Sequence, residues 1–337
     1  MKIRLIHKYD DIFELKNLFL AWEEFVVGKK DKEDVQAFAL NLFDNINELH
    51  DDLKNKTYKH SGYYSFFIND PKRRHIHKAN VRDRLLHHAI YRLLYPFFDR
   101  TFINDSYSCR LGKGVYKAIE SFDAKSYKIS KNNNKTCWIL KCDIKKFFDS
   151  IDHQILIAIL EEYIPDKNIM WLLKNVIDSY HCDLKKGVGI PLGNLTSQLF
   201  ANIYMNVFDQ WIKHKVKAKY YIRYADDFII FSRDRKQLEN ITEQIRIFLL
   251  ERLNLILHPT KIFLKTHFSG MDFLGWVNFL KYKKLRVKTK NRMFKNIINN
   301  PYLDVLQSYL GLLSHGNTNK IRQDLINVYW LMVDKEN

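Results

Sequence analysis

The sequence predicts an α+β fold in which an antiparallel sheet is combined with amphipathic helices. Two apolar runs, 220–222 and 228–231, stand on either side of a short acidic turn and predict a β-hairpin. Apolar residues recur at helical spacing through 10–25 and 34–53. The chain has 337 residues, of which 46% are hydrophobic, so it can bury a sizeable core divided into two or three subdomains.

The same patterns predict the other elements in chain order. Residues 1–55 are expected to be helical with a turn at 28–31, and residues 61–76 to form strands. A helix from Arg82 to Phe98 is expected to stop near Pro96, because proline lacks the amide hydrogen that an inner turn needs. The pattern indicates a loop around 106–114 and a polar connection at 130–135. Further helices are predicted at 153–163, 166–180, 194–214, 291–298, 301–314 and 318–333.

Three carboxylates at strand ends are the strongest chemical signal. Asp226 and Asp227 occupy the tip of the predicted hairpin, and Asp143 directly follows the apolar strand 138–142. Adjacent carboxylates repel each other and favour a divalent cation; Mg²⁺ needs only two or three of them, because waters and substrate phosphates complete its shell. Two such ions could activate a 3′-hydroxyl and stabilise a pyrophosphate leaving group. A solvated turn, with Asp143 as a helix cap, is the alternative.

Other motifs stand in a fixed order around these carboxylates. Asp143 with Phe148, a Gly-rich connection and then the box 224–227 together resemble the palm of a reverse transcriptase. The remaining matching segments resemble the fingers strand, the segment after it in group II intron-like enzymes, the motif after the catalytic hairpin, and the primer-grip hairpin. These segments are 72–76, 81–89, 253–261 and 273–276. Seven ordered motifs are far more specific than the acidic box alone.

One segment narrows the resemblance. Residues 189–202 stand where most reverse transcriptases carry Gln-Gly-x-x-x-Ser-Pro, but here the first position is Leu192 and the last is Gln198. This variant resembles the enzymes of diversity-generating retroelements, which copy a template RNA with errors opposite adenine. The apolar side chain of Leu192 cannot hydrogen-bond near the templating base pair. Discrimination between correct and incorrect nucleotides by shape alone is modest, so Leu192 and Gln198 are expected to lower fidelity.

The resemblance implies a right-hand polymerase with four parts. These are an N-terminal helical extension (1–55), fingers (56–136), a palm with an antiparallel sheet (137–278) and a short helical thumb (279–337). A group II maturase would extend much further, so intron splicing is not expected.

The resemblance also implies roles for individual residues. Catalysis is assigned to Asp143, Asp226, Asp227 and Lys261, the last as proton donor to pyrophosphate. The metal site comprises Asp143, Ile144, Asp226 and Asp227, with two Mg²⁺ ions that Mn²⁺ can replace. Binding of the incoming nucleotide is assigned to Arg74, Arg82, Arg84, Phe148, Leu192, Gly193 and Gln198. Binding of nucleic acid is assigned to Tyr224, Phe273, Leu274, Gly275, Trp276, Lys284, Arg286 and Lys288.

Simpler explanations exist for several of these residues. Phe148 is expected to exclude a 2′-hydroxyl, but it could also be a core residue. Arg84 could pair with Asp83, and Lys261 could be a solvated lysine. Gly193 could be an ordinary turn glycine.

Composition points to a polynucleotide partner. The chain carries 55 Lys and Arg against 38 Asp and Glu, a net charge of +17, which favours polyanions such as template RNA and a cDNA primer. Deoxynucleoside triphosphates and a small basic oligomeric accessory protein are the other expected partners. Four cysteines without zinc-like spacing and the lack of an 18-residue apolar run predict a cytoplasmic protein that does not enter membranes.

Three functions remain open on this basis. The first is an error-prone reverse transcriptase of a diversity-generating retroelement. The second is a reverse transcriptase of an antiphage defence system. The third is a non-catalytic RNA-binding protein on a polymerase scaffold.

Overall fold

The computed structural model of the chain describes residues 3–69, 72–182 and 185–336. These residues form two compact units. The first takes in the described residues of 1–110, 144–217 and 244–259, and the second takes in those of 111–143, 218–243 and 260–337. Every helix in the described part of the chain is too short or too polar to cross a membrane.

Thirteen α-helices and nine strands are assigned within the described ranges. The helices are α1 (Tyr9–Phe13), α2 (Leu15–Val26), α3 (Glu33–Leu40), α4 (Leu42–Lys54), α5 (Val81–Asp99), α6 (Val115–Ile129), α7 (His153–Glu161), α8 (Lys167–Asp178), α9 (Leu195–His214), α10 (Arg235–Leu253), α11 (Val287–Asn299), α12 (Leu303–Leu313) and α13 (Asn319–Glu336). The strands are β1 (Tyr63–Ile68), β2 (Arg74–Ala79), β3 (Trp138–Cys142), β4 (Tyr221–Tyr224), β5 (Asp227–Ser232), β6 (Phe263–Thr266), β7 (Met271–Phe273), β8 (Trp276–Asn278) and β9 (Lys283–Leu285).

The first unit is mainly helical, and short polar side chains begin several of its helices. Asn80 accepts a hydrogen bond from the Asp83 amide at the start of α5. Asp152 and Asp166 cap α7 and α8 in the same way, each accepting from two amides of the first turn.

Two predicted helices of the N-terminal region are each divided. The pattern over 10–25 spans α1 and α2, which are separated at Glu14, where ψ is 130°. The pattern over 34–53 spans α3 and α4, which are separated at Asn41. Apolar spacing alone did not reveal either break, because both helices of each pair direct apolar residues to the same core.

The predicted helix from Arg82 to Phe98 is present as α5, but Pro96 lies within its last turn and does not end it. A proline in an inner turn removes one backbone hydrogen bond and crowds the preceding turn. In α5 the last turn carries Phe98, which is 1% exposed, so tertiary burial holds the helix together beyond the proline.

The main sheet of the second unit is antiparallel, with strand order β4-β5-β3-β6. Its strands are short and apolar, and residues such as Ile139, Phe228 and Ile229 are fully buried. Helix α6, which the sequence analysis did not predict, packs on β4 and β5. The ring of Phe122 on α6 lies 5.1 Å from that of Phe231 on β5.

A second sheet and three helices complete this unit. Strands β7, β8 and β9 form an antiparallel sheet in that order. The side chain of Trp276 in β8 is fully buried in a core with residues of α11, α12 and α13, including Met293, Leu313 and Leu325. The three helices predicted for the C-terminal region are therefore present. The domain boundaries at 55, 136 and 278 stay predictions.

Candidate active site

Strand pairing brings the three carboxylates to one edge of the main sheet. Strand β3 runs antiparallel to β5, and Cys142 pairs with Phe228. Asp143 directly follows β3, and Asp227 directly precedes Phe228, so the antiparallel register continues to place these two aspartates opposite each other. Residues 84 positions apart in sequence thus meet because their strands are adjacent, as the sequence predicted.

Asp226 is held at the tip of a tight hairpin. Tyr224 pairs with Asp227, which leaves Ala225 and Asp226 as a two-residue turn. Ala225 has a φ of 55°, an uncommon conformation for a residue with a side chain. The buried guanidinium of Arg223 donates a hydrogen bond from Nη1 to the Ala225 carbonyl oxygen at 3.1 Å, which supports the turn from inside.

Two lysines face the carboxylates. Lys261 Nζ lies 2.9 Å from Asp143 Oδ1, and Lys141 Nζ lies 3.6 Å from Asp227 Oδ1. Sequence reasoning identified Lys261 but missed Lys141. Its position two residues before Asp143 on the same strand places both side chains on one sheet face, and this was the signal available.

The electrostatics of the site show incomplete compensation. Burial, followed by the charges of Asp143 and Asp227, raises the pKa of Asp226 to about 6. Burial also raises the pKa of Asp227, and Lys141 opposes that shift. The carboxylates therefore repel one another in a desolvated setting, and two lysines do not fully balance them.

The donor set suits a hard divalent cation. Within the described ranges, no three His, Cys, Asp or Glu side chains are arranged to hold a metal by themselves. Mg²⁺ does not require such a cage, because it is bound through one or two carboxylates with waters and phosphates. Asp143, Asp226 and Asp227, which strand pairing brings to adjacent strand ends, supply carboxylates of the kind that such binding uses. Ile144 could offer only its main-chain carbonyl, and its side chain is buried.

The arginines that were expected to bind triphosphate have different surroundings. Arg82 forms an ion pair with Asp52, and Arg84 forms one with Asp34 rather than with Asp83. Burial lowers the pKa of Arg84 despite this partner. Arg74 is exposed on β2. Of the three, Arg74 is the one whose exposure suits a phosphate ligand.

The other residues assigned to the nucleotide lie in the first unit. Phe148 is half-buried in a short 3₁₀ turn and its ring contacts that of Phe147. The carbonyl of Leu192 accepts a hydrogen bond from the His77 amide at 3.0 Å. Gly193 has a φ of 117°, and a β-carbon there would come within 2.8 Å of Ile76, so this glycine also serves close packing. Gln198 is half-buried in the first turn of α9.

The hairpin assigned to the primer is only partly accessible. Phe273 and Trp276 are fully buried, so their rings pack inside the unit and are not available to a base. Leu274 and Gly275 form the turn between β7 and β8 and are half-buried, as is Tyr224 in the acidic hairpin. Of the residues predicted to contact nucleic acid in this hairpin, only those of the turn, Leu274 and Gly275, are therefore accessible.

The basic residues after this hairpin differ in their contacts. Lys284 lies over the rings of Phe279 and Tyr282, and Arg286 pairs with Asp272. Lys288 is exposed on α11. Lys284 and Lys288 are the more accessible candidates for contact with a nucleic-acid backbone.

Sequence comparison agrees with this geometry. The profile of the family described as reverse transcriptase (RNA-dependent DNA polymerase) matches residues 59–278. Protein YkfC of Escherichia coli is 26% identical over 231 residues, which cover 58% of this chain and 60% of YkfC. The group II intron-encoded protein LtrA of Lactococcus lactis subsp. cremoris is 23% identical over 303 residues, covering 68% of this chain and 49% of LtrA. The chain thus spans only part of the length of such relatives.

Structural comparison supports the fold class. A solved telomerase from Candida albicans, in complex with a fragment of telomeric RNA, superposes with a TM-score of 0.54 at 12% identity. The match covers 83% of this chain and 58% of the telomerase chain. The predicted α+β, right-hand polymerase fold is confirmed by these matches and by the antiparallel sheet. The chain belongs to the reverse transcriptase (RNA-dependent DNA polymerase) family, among relatives that include group II intron-encoded proteins.

Proposed function

We propose that the chain is an active RNA-directed DNA polymerase that adds deoxynucleotides to a primer 3′-hydroxyl. The observation that carries this proposal is the meeting of Asp143, Asp226 and Asp227 at one sheet edge, with the pKa of Asp226 raised to about 6. A protein that only bound RNA would gain nothing from keeping mutually repelling carboxylates in a desolvated site.

The three aspartates are the proposed metal ligands. Two bound Mg²⁺ or Mn²⁺ ions would activate the primer hydroxyl and stabilise the leaving pyrophosphate. Lys141 and Lys261 act as counter-ions to Asp227 and Asp143. Lys261 is also close enough to the carboxylates to serve as the proton donor to pyrophosphate.

Nucleotide recognition is assigned to the first unit. Phe148 is the proposed barrier to a 2′-hydroxyl, so deoxynucleotides are expected to be preferred. Gly193 and Gln198 are proposed to border the nucleotide, and the exposed Arg74 to hold its phosphates. Arg82 and Arg84 are proposed to act indirectly, by fixing this region to the N-terminal helices through Asp52 and Asp34.

Template RNA and primer are the proposed macromolecular partners. The net charge of +17 supports a polyanionic partner. Lys284, Arg286, Lys288, Tyr224 and the 274–275 turn are the proposed contacts. A small basic accessory protein is a proposed further partner.

Primer extension tests the proposed activity. Wild type should extend a DNA primer on a heteropolymeric RNA template with Mg²⁺, and Asp226→Asn should lower the rate at least about 10³-fold. RNA affinity should stay within about twofold of wild type, because one carboxylate at the sheet edge contributes little to binding a polyanion. Asp149→Asn, at an exposed position, is the matched control. An inactive wild type that still binds RNA tightly would favour the non-catalytic alternative.

Error-prone copying is the finer proposal. The apolar Leu192 offers no side-chain hydrogen bond where most family members carry glutamine, and this supports low fidelity opposite adenine, as in a diversity-generating retroelement. Sequencing of cDNA made by wild type and Leu192→Gln should show fewer errors opposite adenine in the variant. Equal error rates would remove Leu192 from the explanation. Accurate copying by wild type would favour the defence-associated alternative.

A further inference from the structure

A cavity in the second unit has no part in the proposed chemistry. Its volume is about 420 Å³, within the range of small-molecule sites. The end of α6 and the loop between β8 and β9 supply most of its wall. Its lining includes Asp123, Tyr127, His267, Phe279, Lys281 and Tyr282, and none of the carboxylates or lysines of the candidate active site.

The first notable feature is a buried histidine. His267 is 4% exposed, and neither ring nitrogen makes a hydrogen bond of normal distance and angle. Burial lowers its pKa, and the weaker influence of Asp123 and the Phe279 backbone only partly opposes this. The ring is therefore neutral at pH 7, with one donor and one acceptor nitrogen, and the residue lines the cavity. A buried polar group in this state is costly unless a ligand satisfies it.

The second feature is an aromatic platform. Phe279 rests on Gly270, where a β-carbon would come within 2.5 Å of the ring. Tyr282 stacks on Phe279 with ring centroids 4.7 Å apart, and the loop between them is closed by a hydrogen bond from the Phe279 amide to the Tyr282 carbonyl at 2.9 Å. Tyr282 nevertheless remains 41% exposed, and Tyr127, across the same cavity, is 50% exposed. The Tyr282 ring is thus held in place yet accessible, as a stacking surface requires.

The third feature is positive charge at the rim. Lys281 is exposed in the loop, and Lys284 lies 5.3 Å from the centroid of the Tyr282 ring. Lys283 is paired with Asp123 at 2.6 Å, so the nearby carboxylate is already neutralised. An anionic group beside the platform would therefore meet uncompensated lysine charge.

We propose that this cavity binds a single unstacked nucleotide. A nucleotide combines a flat ring for the exposed Tyr282 with a phosphate for the exposed Lys281. The nucleotide could belong to an RNA strand or be free in solution, since both present the same chemistry. The proposal does not depend on polymerase activity.

Photocrosslinking tests this site without measuring catalysis. The full chain would be irradiated with 4-thiouridine 5′-monophosphate in one arm and with a 12-nucleotide RNA carrying one 4-thiouridine in the other. Crosslinked peptides would be mapped by mass spectrometry. We expect crosslinks on the peptides that carry Tyr127, His267 or Tyr282, and at least a fivefold loss in Tyr282→Ala and Lys281→Glu.

Matched controls separate this site from general charge. Tyr302→Ala and Lys320→Glu change an exposed ring and an exposed lysine of the same unit outside the cavity, and both should crosslink as wild type does. Lys281→Glu also guards against misfolding of Tyr282→Ala, because it alters only a surface loop. Crosslinks in the RNA arm alone identify a strand as the source, and crosslinks to the monophosphate identify a free nucleotide. The proposal is overturned if these peptides crosslink no more than the rest of the chain, or if both cavity variants match wild type.

Discussion

At the scale of single residues, the site is defined by its charge balance. Three carboxylates meet two ammonium groups, Lys141 and Lys261, and the pKa of Asp226 remains raised to about 6. A divalent cation would convert the repulsion among these side chains into ligation. The same repulsion has a cost to the metal-free protein, and that cost can be measured.

The stability of the metal-free protein should depend on pH through Asp226. Its pKa is about 6 in the folded protein against an ordinary 3.8, so the folded state holds the proton more tightly. Protonated Asp226 therefore contributes up to ~3 kcal/mol to the free energy of unfolding. This contribution is fully present below about pH 4 and is lost as pH rises through about 6. Urea unfolding in EDTA between pH 4 and 7 would measure this change.

The Asp226→Asn variant isolates that effect. It has no proton to lose, so the difference in unfolding free energy between variant and wild type should grow as pH rises from 4 to 6. At pH 7 the variant should be the more stable protein, by ~1–2 kcal/mol. A difference that stays flat with pH would mean that Asp226 is not desolvated among like charges.

Much of this site could be predicted from residue spacing. Asp143 at the end of an apolar strand, and Asp226 and Asp227 in a short turn, already indicated a shared location. Lys141 was missed because a lysine in an apolar strand resembles a solvated edge residue until its neighbour across the sheet is known. Arg82 and Arg84 were assigned to phosphate because their ion pairs with Asp52 and Asp34 join segments that the sequence does not connect.

At the scale of elements, the acidic hairpin depends on a strained turn. Ala225 has a φ of 55°, which costs roughly 1 kcal/mol for a residue with a β-carbon and more for a β-branched one. The position of Asp226 is therefore linked to a backbone that only small residues tolerate.

Substitutions at Ala225 should separate turn strain from chemistry. Ala225→Val should destabilise the protein by ~1–3 kcal/mol, because a branched β-carbon worsens the strained conformation. Ala225→Gly should leave stability equal or slightly higher, because glycine adopts positive φ without strain. Thermal unfolding of the two variants beside wild type provides the comparison. Equal melting temperatures for valine and glycine would show that the turn relaxes in solution.

Helices and strands were predictable where the apolar periodicity was strong, but the positions at which several of them begin and end were not. The hairpin 224–227, the turn at 274–275 and the long helix α9 follow directly from alternation, glycine and helical spacing. Helix α5 was predicted to within one residue at each end, but Pro96 does not stop it, because burial of Phe98 outweighs the local effect of the proline. Helix α6 was missed, because polar and glycine-rich neighbours obscured its apolar face of Ala118, Ile119 and Phe122.

At the scale of the whole molecule, the net charge favours the proposed binding of nucleic acid. A net charge of +17 concentrates polyanions around the protein and releases their counterions on binding. The ordered motifs made the fold class predictable. The division into two units was not, because it depends on contacts between segments distant in sequence.

RNA affinity should fall steeply with salt. If about six phosphates are neutralised, the association constant should drop roughly 10³-fold between 50 and 200 mM salt. Fluorescence anisotropy with a labelled RNA at four salt concentrations would provide the slope. Asp226→Asn should have the same slope, because it leaves Lys284, Arg286 and Lys288, the proposed phosphate contacts, unchanged. An affinity that barely changes with salt would contradict binding through phosphate contacts.

The central claim is that Asp143, Asp226 and Asp227 together bind a divalent cation at the edge of the main sheet. Titration of the protein with Mn²⁺, followed by electron paramagnetic resonance, measures that binding without requiring catalysis. Wild type and the exposed-site control Asp149→Asn should bind with equal affinity, while Asp143→Asn and Asp226→Asn should each bind at least tenfold more weakly. Equal Mn²⁺ affinity in all four proteins would contradict the account.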